Sequence, residues 1–354
     1  MRYGIIGTGM MGVEHIGNLN ALDGVTVGAI ADPDPGSRDS GAAAAAGNVN
    51  VYVNHTAMLE SEELDAIVVA SPNMTHIDVL RDVLITDTPV LVEKPMCTTV
   101  ADCREVVELA AERDGMVWIG LEYRYMPPVA RLIEEHAGGA VGTTRMVAIR
   151  EHRFPFLVKV GDWNRFSANT GGTLVEKCCH FFDLMNLLAG TSPVRVMASG
   201  GQDVNHLNES YDGQRSDILD NAFVIVEYDD GVRGLLDLCM FAEATHNQEE
   251  ISVVGDAGKL EALIPENVLR SGRRGQHRIG EVDITEVHDD SVRHVGLHHG
   301  SSFIEHRRFA QAVRTGGTAE VSPLDGLMSV AMGVAAHLSI TEGGPVEMSD
   351  VLSP

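Results

Sequence analysis

Lysine is scarce. Lys94, Lys159, Lys177 and Lys259 are the only four in 354 residues, and 26 Lys+Arg stand against 51 Asp+Glu. The formal net charge of −25 disfavours nucleic acid and anionic membranes, because both repel a strongly negative surface. The acids are dispersed along the chain and form no tail. Such a surface fits a salt-rich cytoplasm, where counter-ions screen self-repulsion. A GC-rich genome that favours Arg over Lys accounts for the lysine shortage as well. Cysteine is sparse too: Cys97, Cys103, Cys178, Cys179 and Cys239 form no Cys-x-x-Cys pair. That argues against structural zinc, and no metal is expected. Adjacent Cys178 and Cys179 cannot bridge each other without strain, so buried, reduced thiols are expected. No run approaches the ~20 unbroken apolar residues of a membrane span. Met1-Arg2-Tyr3 leads at once into a glycine loop, which leaves no room for a secretory leader, and a cytoplasmic protein is expected. Hydrophobic content of 44% and charged content of 22% are those of a globular chain.

At this length two domains are expected. The first 120 residues alternate short apolar runs with helical patterns. Strands are expected at 3–6, 25–31, 64–70, 89–92 and 116–121. Helices are expected in the segment that follows Gly7–Gly12 up to Leu22, at 42–46 in an alanine run, after a Thr75 cap, and from a Thr99 cap to Arg113. Such alternation predicts a parallel sheet with helices on both faces. Beyond about residue 125 the pattern changes. Strands at 223–228 and 232–239 flank the turn Asp229-Asp230-Gly231, and 251–254 with 259–262 make a second hairpin. A further strand is expected at 145–150. Hairpins mean antiparallel pairing, hence an α+β second domain. Helices are expected at 174–188 and 324–338, and a polar surface loop at 204–217.

Three constellations carry chemistry. Gly7-x-Gly9-x-x-Gly12 follows a strand and opens a helix. Gly7 permits the tight turn, Gly9 lets backbone approach a pyrophosphate, and Gly12 lets helix pack on strand. Met10 and Met11 lie in the same turn, whose free N–H groups and helix dipole suit phosphate. Asp32 closes the second strand 20 residues past Gly12. Its carboxylate would hold both ribose hydroxyls and repel a 2′-phosphate, so NAD is expected over NADP. Arg38 lies close enough in sequence to keep NADP open.

Ser71-Pro72-Asn73 and Glu93-Lys94-Pro95 sit at the carboxyl ends of strands, where a doubly wound sheet binds its ligand. Proline restrains Lys94. Beside a positive nicotinamide its proton affinity would fall, so it could hydrogen-bond a substrate hydroxyl and relay a proton.

In Gly171-Gly172-Thr173-Leu174-x-Glu176-x-x-x-His180-x-x-Asp183, a helix would put Glu176, His180 and Asp183 on one face. His180 is the natural general base, oriented by Asp183 or Glu176. Lys159, Trp163 and Asn164 either line a polar pocket, with Trp163 as its apolar floor, or cap the helix. His15 reads as packing, Lys177 as pointing off the catalytic face, and His294, His298 and His299 as a solvent or subunit contact.

Taken together, the chain resembles the Gfo/Idh/MocA oxidoreductases. The likeness rests on Gly7–Gly12 continuing to His15, Ser71-Pro72-Asn73 with His76, Glu93-Lys94-Pro95, Gly120 with Arg124, and Gly171–Asp183. Gly255-Asp256-Ala257-Gly258 and the closing helix are later echoes. The resemblance implies a Rossmann domain over 1–123. It implies a substrate-binding and oligomerising domain over 124–354 with an open, mainly antiparallel sheet, onto whose partner domain the last helix is free to pack back. It adds His76 and Glu93 to the cofactor residues and Arg124 to Lys159, Trp163, Asn164 and Asp183 as substrate contacts. It implies a homodimer or homotetramer and NAD(P)-linked oxidation or reduction of a sugar, inositol or related polyol. The family's Lys, Asp and His set falls on Lys94, Glu176 and His180; Glu176 is one methylene longer than the usual Asp. Relatives of this fold that hydrolyse glycosides through tightly held NAD use the same residues, and a sugar-responsive regulatory protein would need neither Lys94 nor His180.

Overall fold

The computed structural model describes residues 1–353. The first unit runs β1 (Arg2–Ile6), α1 (Met10–Asn20), β2 (Thr26–Ala31), α2 (Pro35–Ala44), β3 (Asn50–Tyr52), α3 (His55–Ser61), β4 (Ala66–Val69), α4 (His76–Val83), β5 (Val90–Glu93), α5 (Val100–Ala111) and β6 (Val117–Gly120). Its six strands are all parallel, in the order β3-β2-β1-β4-β5-β6. β4, β5 and β6 are buried throughout, as strands covered on both faces must be. That is why they read as unbroken apolar runs. The chain order reverses beside β1, between β1 and β4, and this creates the crevice at the carboxyl edge.

Local expectations fail in instructive places. β3 is three largely exposed residues and gave no apolar run. α2 is not the alanine run but starts at Pro35, where the Asp34 side chain accepts from Ser37 N–H; it ends at Ala44. α3 is capped the same way by Asn54. Thr75 caps nothing: it is already helical, and its hydroxyl donates to Ser71 Oγ and the Pro72 carbonyl. Thr99 does cap α5, accepting from Asp102 N–H.

The second unit contains α6 (Pro127–Ala137), β7 (Thr144–His152), α7 (Ser167–Thr170), α8 (Thr173–Glu176), α9 (Cys179–Ala189), β8 (Pro193–Gly201), a ribbon of β9 (Ser210–Tyr211) with β10 (Gln214–Arg215), β11 (Asn221–Tyr228), β12 (Arg233–Cys239), β13 (Glu249–Gly255), β14 (Gly258–Ile264), β15 (Val268–Arg273), β16 (Asp283–Glu286), α10 (Ser301–Thr315), α11 (Pro323–Glu342), β17 (Val346–Glu347) and α12 (Met348–Leu352). Nine strands form one sheet, ordered β16-β15-β14-β13-β7-β12-β11-β8-β17, in which only β7 and β12 pair in parallel. Burial alternates along β11, so one face is packed and the other open. α9 and α11 cover the packed face, while α11 also packs on α5 and β6 and so closes back onto the first sheet. α11 is long and apolar enough to cross a bilayer, yet it is mostly buried between these elements. α10, which no sequence pattern announced, packs against α1 and the turn Glu122–Tyr125.

Candidate active site

The glycine turn meets the geometric demands of a phosphate loop. Gly7 has φ +88°, and a side chain there would overlap the Ala70–Ser71 backbone. A Cβ on Gly12 would collide with the Gly7 carbonyl, so Gly12 serves helix-on-strand packing and does not face the cleft. A Cβ on Gly9 would point into open space, and α1 begins at Gly9 without a side-chain cap. Its first N–H groups are left for an anion. Asp32 accepts from Thr8 N–H at 2.7 Å and Asp34 N–H at 2.8 Å, which fixes the loop to the end of β2. The Arg38 guanidinium is folded onto the Asp32 and Pro33 carbonyls at 2.8 and 2.9 Å.

A cleft of about 570 Å³ runs from this turn past β4 and β5. Gly7, Gly9, Met10, Met11, Asp32, Ser71, Asn73, Glu93 and Lys94 line it, with Lys159, Trp163 and Glu176 at its polar end. Asn73 Nδ2 is buried with no hydrogen-bond partner among the described residues. An open glycine cradle, uncapped helix N–H groups and a free amide donor fit a dinucleotide. His76 departs from expectation. It is wholly buried behind the cleft, its ring nitrogens 2.9 Å from the Pro95 carbonyl and 3.0 Å from that of Ser71. It ties the two loops together and does not meet the cofactor space.

At the polar end Lys94 Nζ donates to the Glu176 carbonyl at 3.3 Å. Burial works against the Lys94 charge. The nearby acids, Glu93 foremost, outweigh it and hold Lys94 above its ordinary value. In the protein alone Lys94 is therefore firmly charged; the expected lowering needs the nicotinamide. Burial raises the Glu176 carboxyl despite Lys94 and Lys159, and Glu176 Oε2 has no partner among the described residues. Burial, then the like charge of Lys94, brings Lys159 down to about 8. Cys179 is pushed up to about 12 by burial and stays a thiol.

The expected helix over 174–188 is broken. α8 ends at Glu176 and α9 starts at Cys179, so Glu176, His180 and Asp183 do not share one continuous face. Asp183 does not orient His180. It forms a two-pronged pair with Arg124, with Nε to Oδ2 at 2.7 Å, and Arg124 also donates to the Glu320 carbonyl at 3.0 Å. Arg124 also lies 3.3 Å from Asp325 of α11, so Arg124 and Asp183 tie the end of β6 to α9 and α11 and leave the substrate space. Asn164 is buried too, donating to the Leu157 carbonyl at 2.9 Å. It shapes the loop that carries Lys159 and Trp163. His180 is 2% exposed, its Nδ1 unpartnered among the described residues and its ring stacked on Tyr123. Burial, then Lys94, Lys177 and His298, hold its proton affinity well below that of free imidazole.

Residues not singled out by local pattern complete the surroundings. His15 bridges Glu93 at 2.9 Å and His306 at 2.7 Å. Burial works against the Glu93 charge, but His15 and Lys94 hold the carboxyl down to about 2. His298 Nδ1 lies 3.1 Å from Glu122 Oε1, and Ser302 donates to the other Glu122 oxygen. Burial and the nearby Glu93 charge push Glu122 up to about 8. Thus His15 is no mere packing residue, and His298 faces the interior instead of a subunit contact. Both pair with residues scores or hundreds of positions away, which no spacing rule detects.

A doubly wound sheet with a phosphate turn, an acid closing β2, and Lys94 beside Glu176 at the cleft end define a dinucleotide-dependent oxidoreductase. Residues 1–121 match the oxidoreductase family's NAD-binding Rossmann fold, and residues 132–348 match its C-terminal alpha/beta domain. The chain belongs to the Gfo/Idh/MocA oxidoreductase family and carries its NAD-binding domain. It is 29% identical to inositol 2-dehydrogenase 2 of Saccharopolyspora erythraea, over 99% of this chain and 96% of that one. It is 26% identical to myo-inositol 2-dehydrogenase of Thermotoga maritima, over 99% and 100%. An Agrobacterium radiobacter oxidoreductase solved with NAD+, L-tartaric acid and magnesium shares the fold, with a TM-score of 0.82, 16% identity and 99% coverage of both chains.

Proposed function

We propose that the protein is an NAD-dependent dehydrogenase that acts on a secondary hydroxyl of a sugar, inositol or related polyol. Residues 1–123 hold the dinucleotide; residues 124–354 hold the substrate and the subunit contacts. The observation that carries the reading is the placement of Lys94 and Glu176 at the polar end of the glycine-turn cleft. The full-length inositol dehydrogenase relatives support a polyol substrate. Bound NAD supplies the hydride acceptor. Neutral His180 accepts the hydroxyl proton. Lys94 donates a hydrogen bond to the same oxygen and stabilises its developing charge. Glu176 orients a neighbouring hydroxyl or Lys94 itself, while Lys159 donates to the substrate and Trp163 gives the ring an apolar floor.

Purified protein mixed with NAD and a panel of inositols and aldoses is expected to accumulate reduced cofactor with at least one polyol. Asp32→Ala should raise the KM for NAD about tenfold, since charged hydrogen bonds to ribose are each worth about 1.5–3 kcal/mol and part is recovered by water. NADP turnover should rise in the same variant. Cleavage of a glycoside without net reduced cofactor would replace the dehydrogenase with the hydrolase reading.

The open face of the large sheet is the surface for a second copy of the chain. Met197, Ile225 and Leu235 lie side by side in register across β8, β11 and β12, and Phe223 and Met146 flank them; all five are 40–60% exposed. A row of this kind is an uncovered interface. Sedimentation of the wild type should give a dimer or tetramer, and Ile225→Glu with Leu235→Glu a monomer. A monomeric wild type would remove this assignment.

A further inference from the structure

A buried lysine lies behind the site and touches neither the cleft nor solvent. Lys177 Nζ is 2.9 Å from Glu151 Oε1 and donates to the Tyr123 hydroxyl at 2.6 Å. It sits 4.8 Å from the centroid of the Tyr123 ring. That ring in turn stacks on His180, with centroids 3.9 Å apart and planes within 10°. The Tyr123 hydroxyl also faces Glu249 Oε1 at 3.5 Å. Lys177, Tyr123, Glu151 and Glu249 are all nearly inaccessible. Burying a charge pair in place of apolar side chains brings little or no stability, so packing alone does not explain a lysine here.

Resting on the dehydrogenase reading, we propose that Tyr123 and Lys177 are positioning residues for His180: Tyr123 fixes the plane of the ring, and Lys177 keeps the imidazole in its neutral, proton-accepting form. The physical reason is like-charge repulsion within one buried cluster, in which Lys177 and His180 both contact Tyr123. The charged and titratable groups facing His180 are Lys94 after β5, Arg153 after β7, Lys177 between α8 and α9, and His298 ahead of α10. Those facing Lys177 are Glu151 of β7, Glu249 of β13, Arg153 and Tyr123. Burial, then Arg153, lower the proton affinity of Lys177, and the ion pair with Glu151 is what favours its charge. Arg153 lies 3.4 Å from Glu151, so Glu151 is shared between two cations and leaves the Lys177 charge only partly neutralised. Burial raises Glu249 to about 7, which weakens its compensation further.

The test is titration of the 13C-labelled His180 ring by NMR in the whole protein, the signal being assigned by its loss in His180→Gln. Lys177→Met keeps the length and removes the charge. It should raise the proton affinity of His180 roughly tenfold. The acid limb of kcat should move to higher pH in the same variant, with KM for NAD within about twofold. Tyr123→Leu should lower kcat roughly tenfold with KM unchanged, and Tyr123→Phe should restore it, because the stack and not the hydroxyl fixes the ring. An unmoved His180 titration in folded Lys177→Met overturns the proposal. Should that variant not fold, equal kcat for Tyr123→Leu and Tyr123→Phe overturns it. A shifted titration with turnover and its pH profile unchanged keeps the platform and instead removes His180 from the catalytic role given above.

Discussion

His180→Ala lowers kcat by about 10³-fold and leaves NAD affinity within about twofold, the loss expected when a positioned general base is removed. The separation follows from geometry. His180 is 2% exposed and lies outside the cleft lining, whose dinucleotide walls come from the glycine turn, Asp32 and Ser71-Pro72-Asn73. Its environment keeps the ring neutral across the neutral range, the form the proposed base requires. Steady-state kinetics with equilibrium NAD titration measures both quantities. Near-normal turnover in the variant would remove His180 from the mechanism. Lys94→Met should fall by about 10²–10³-fold, because only its hydrogen bond to the developing charge is lost.

Arg124→Met destabilises the protein by about 3–5 kcal/mol, since it strands the Asp183 carboxylate in the interior. Asp183 is 2% exposed, and burial raises its carboxyl even with Arg124 present. Without the guanidinium the folded protein therefore prefers Asp183 protonated. A carboxyl whose proton affinity is higher folded than unfolded adds stability at low pH and loses it as pH rises. The variant should be closer to wild type at pH 5 than at pH 8. Urea unfolding at the two pH values measures this difference, and a pH-independent loss would contradict it. Arg124→Met with Asp183→Leu should recover much of the stability, because an apolar pair replaces the buried ions. If Arg124 contacted substrate instead, its loss would act on KM and spare stability.

These two residues mark where local reading fails. Asp183 belongs to the Gly171–Asp183 motif and Arg124 to the family resemblance, which together place both in contact with substrate. Their partner is each other, 59 positions apart. The family resemblance assigns His76 to the cofactor, yet its ring nitrogens meet backbone carbonyls from two loops. The broken α8–α9 helix separates residues whose spacing promised one face. Glu122, His298 and Tyr123 carried no pattern that pointed to the site, and His15, though part of the motif after Gly12, read only as packing. Their proximity exists only once α10 docks on α1 and on the turn after β6.

Covalent order and short-range physics alone dictate much of the molecule. A glycine that must adopt positive φ, strands buried on both faces, an acid at the end of β2 and a lysine held by proline all act within a few residues. They suffice for the dinucleotide turn, the parallel sheet and the two central hairpins of the second sheet. The proton-handling environment depends on distances between segments far apart in the chain. Packing of α11 against α5 and α9, the enclosure of His180 between Tyr123 and its cations, and the pairing of Arg124 with Asp183 are long-range events. Burial turns ordinary side chains into shifted acids and bases there, because desolvation and neighbouring charge act through space and not along the sequence.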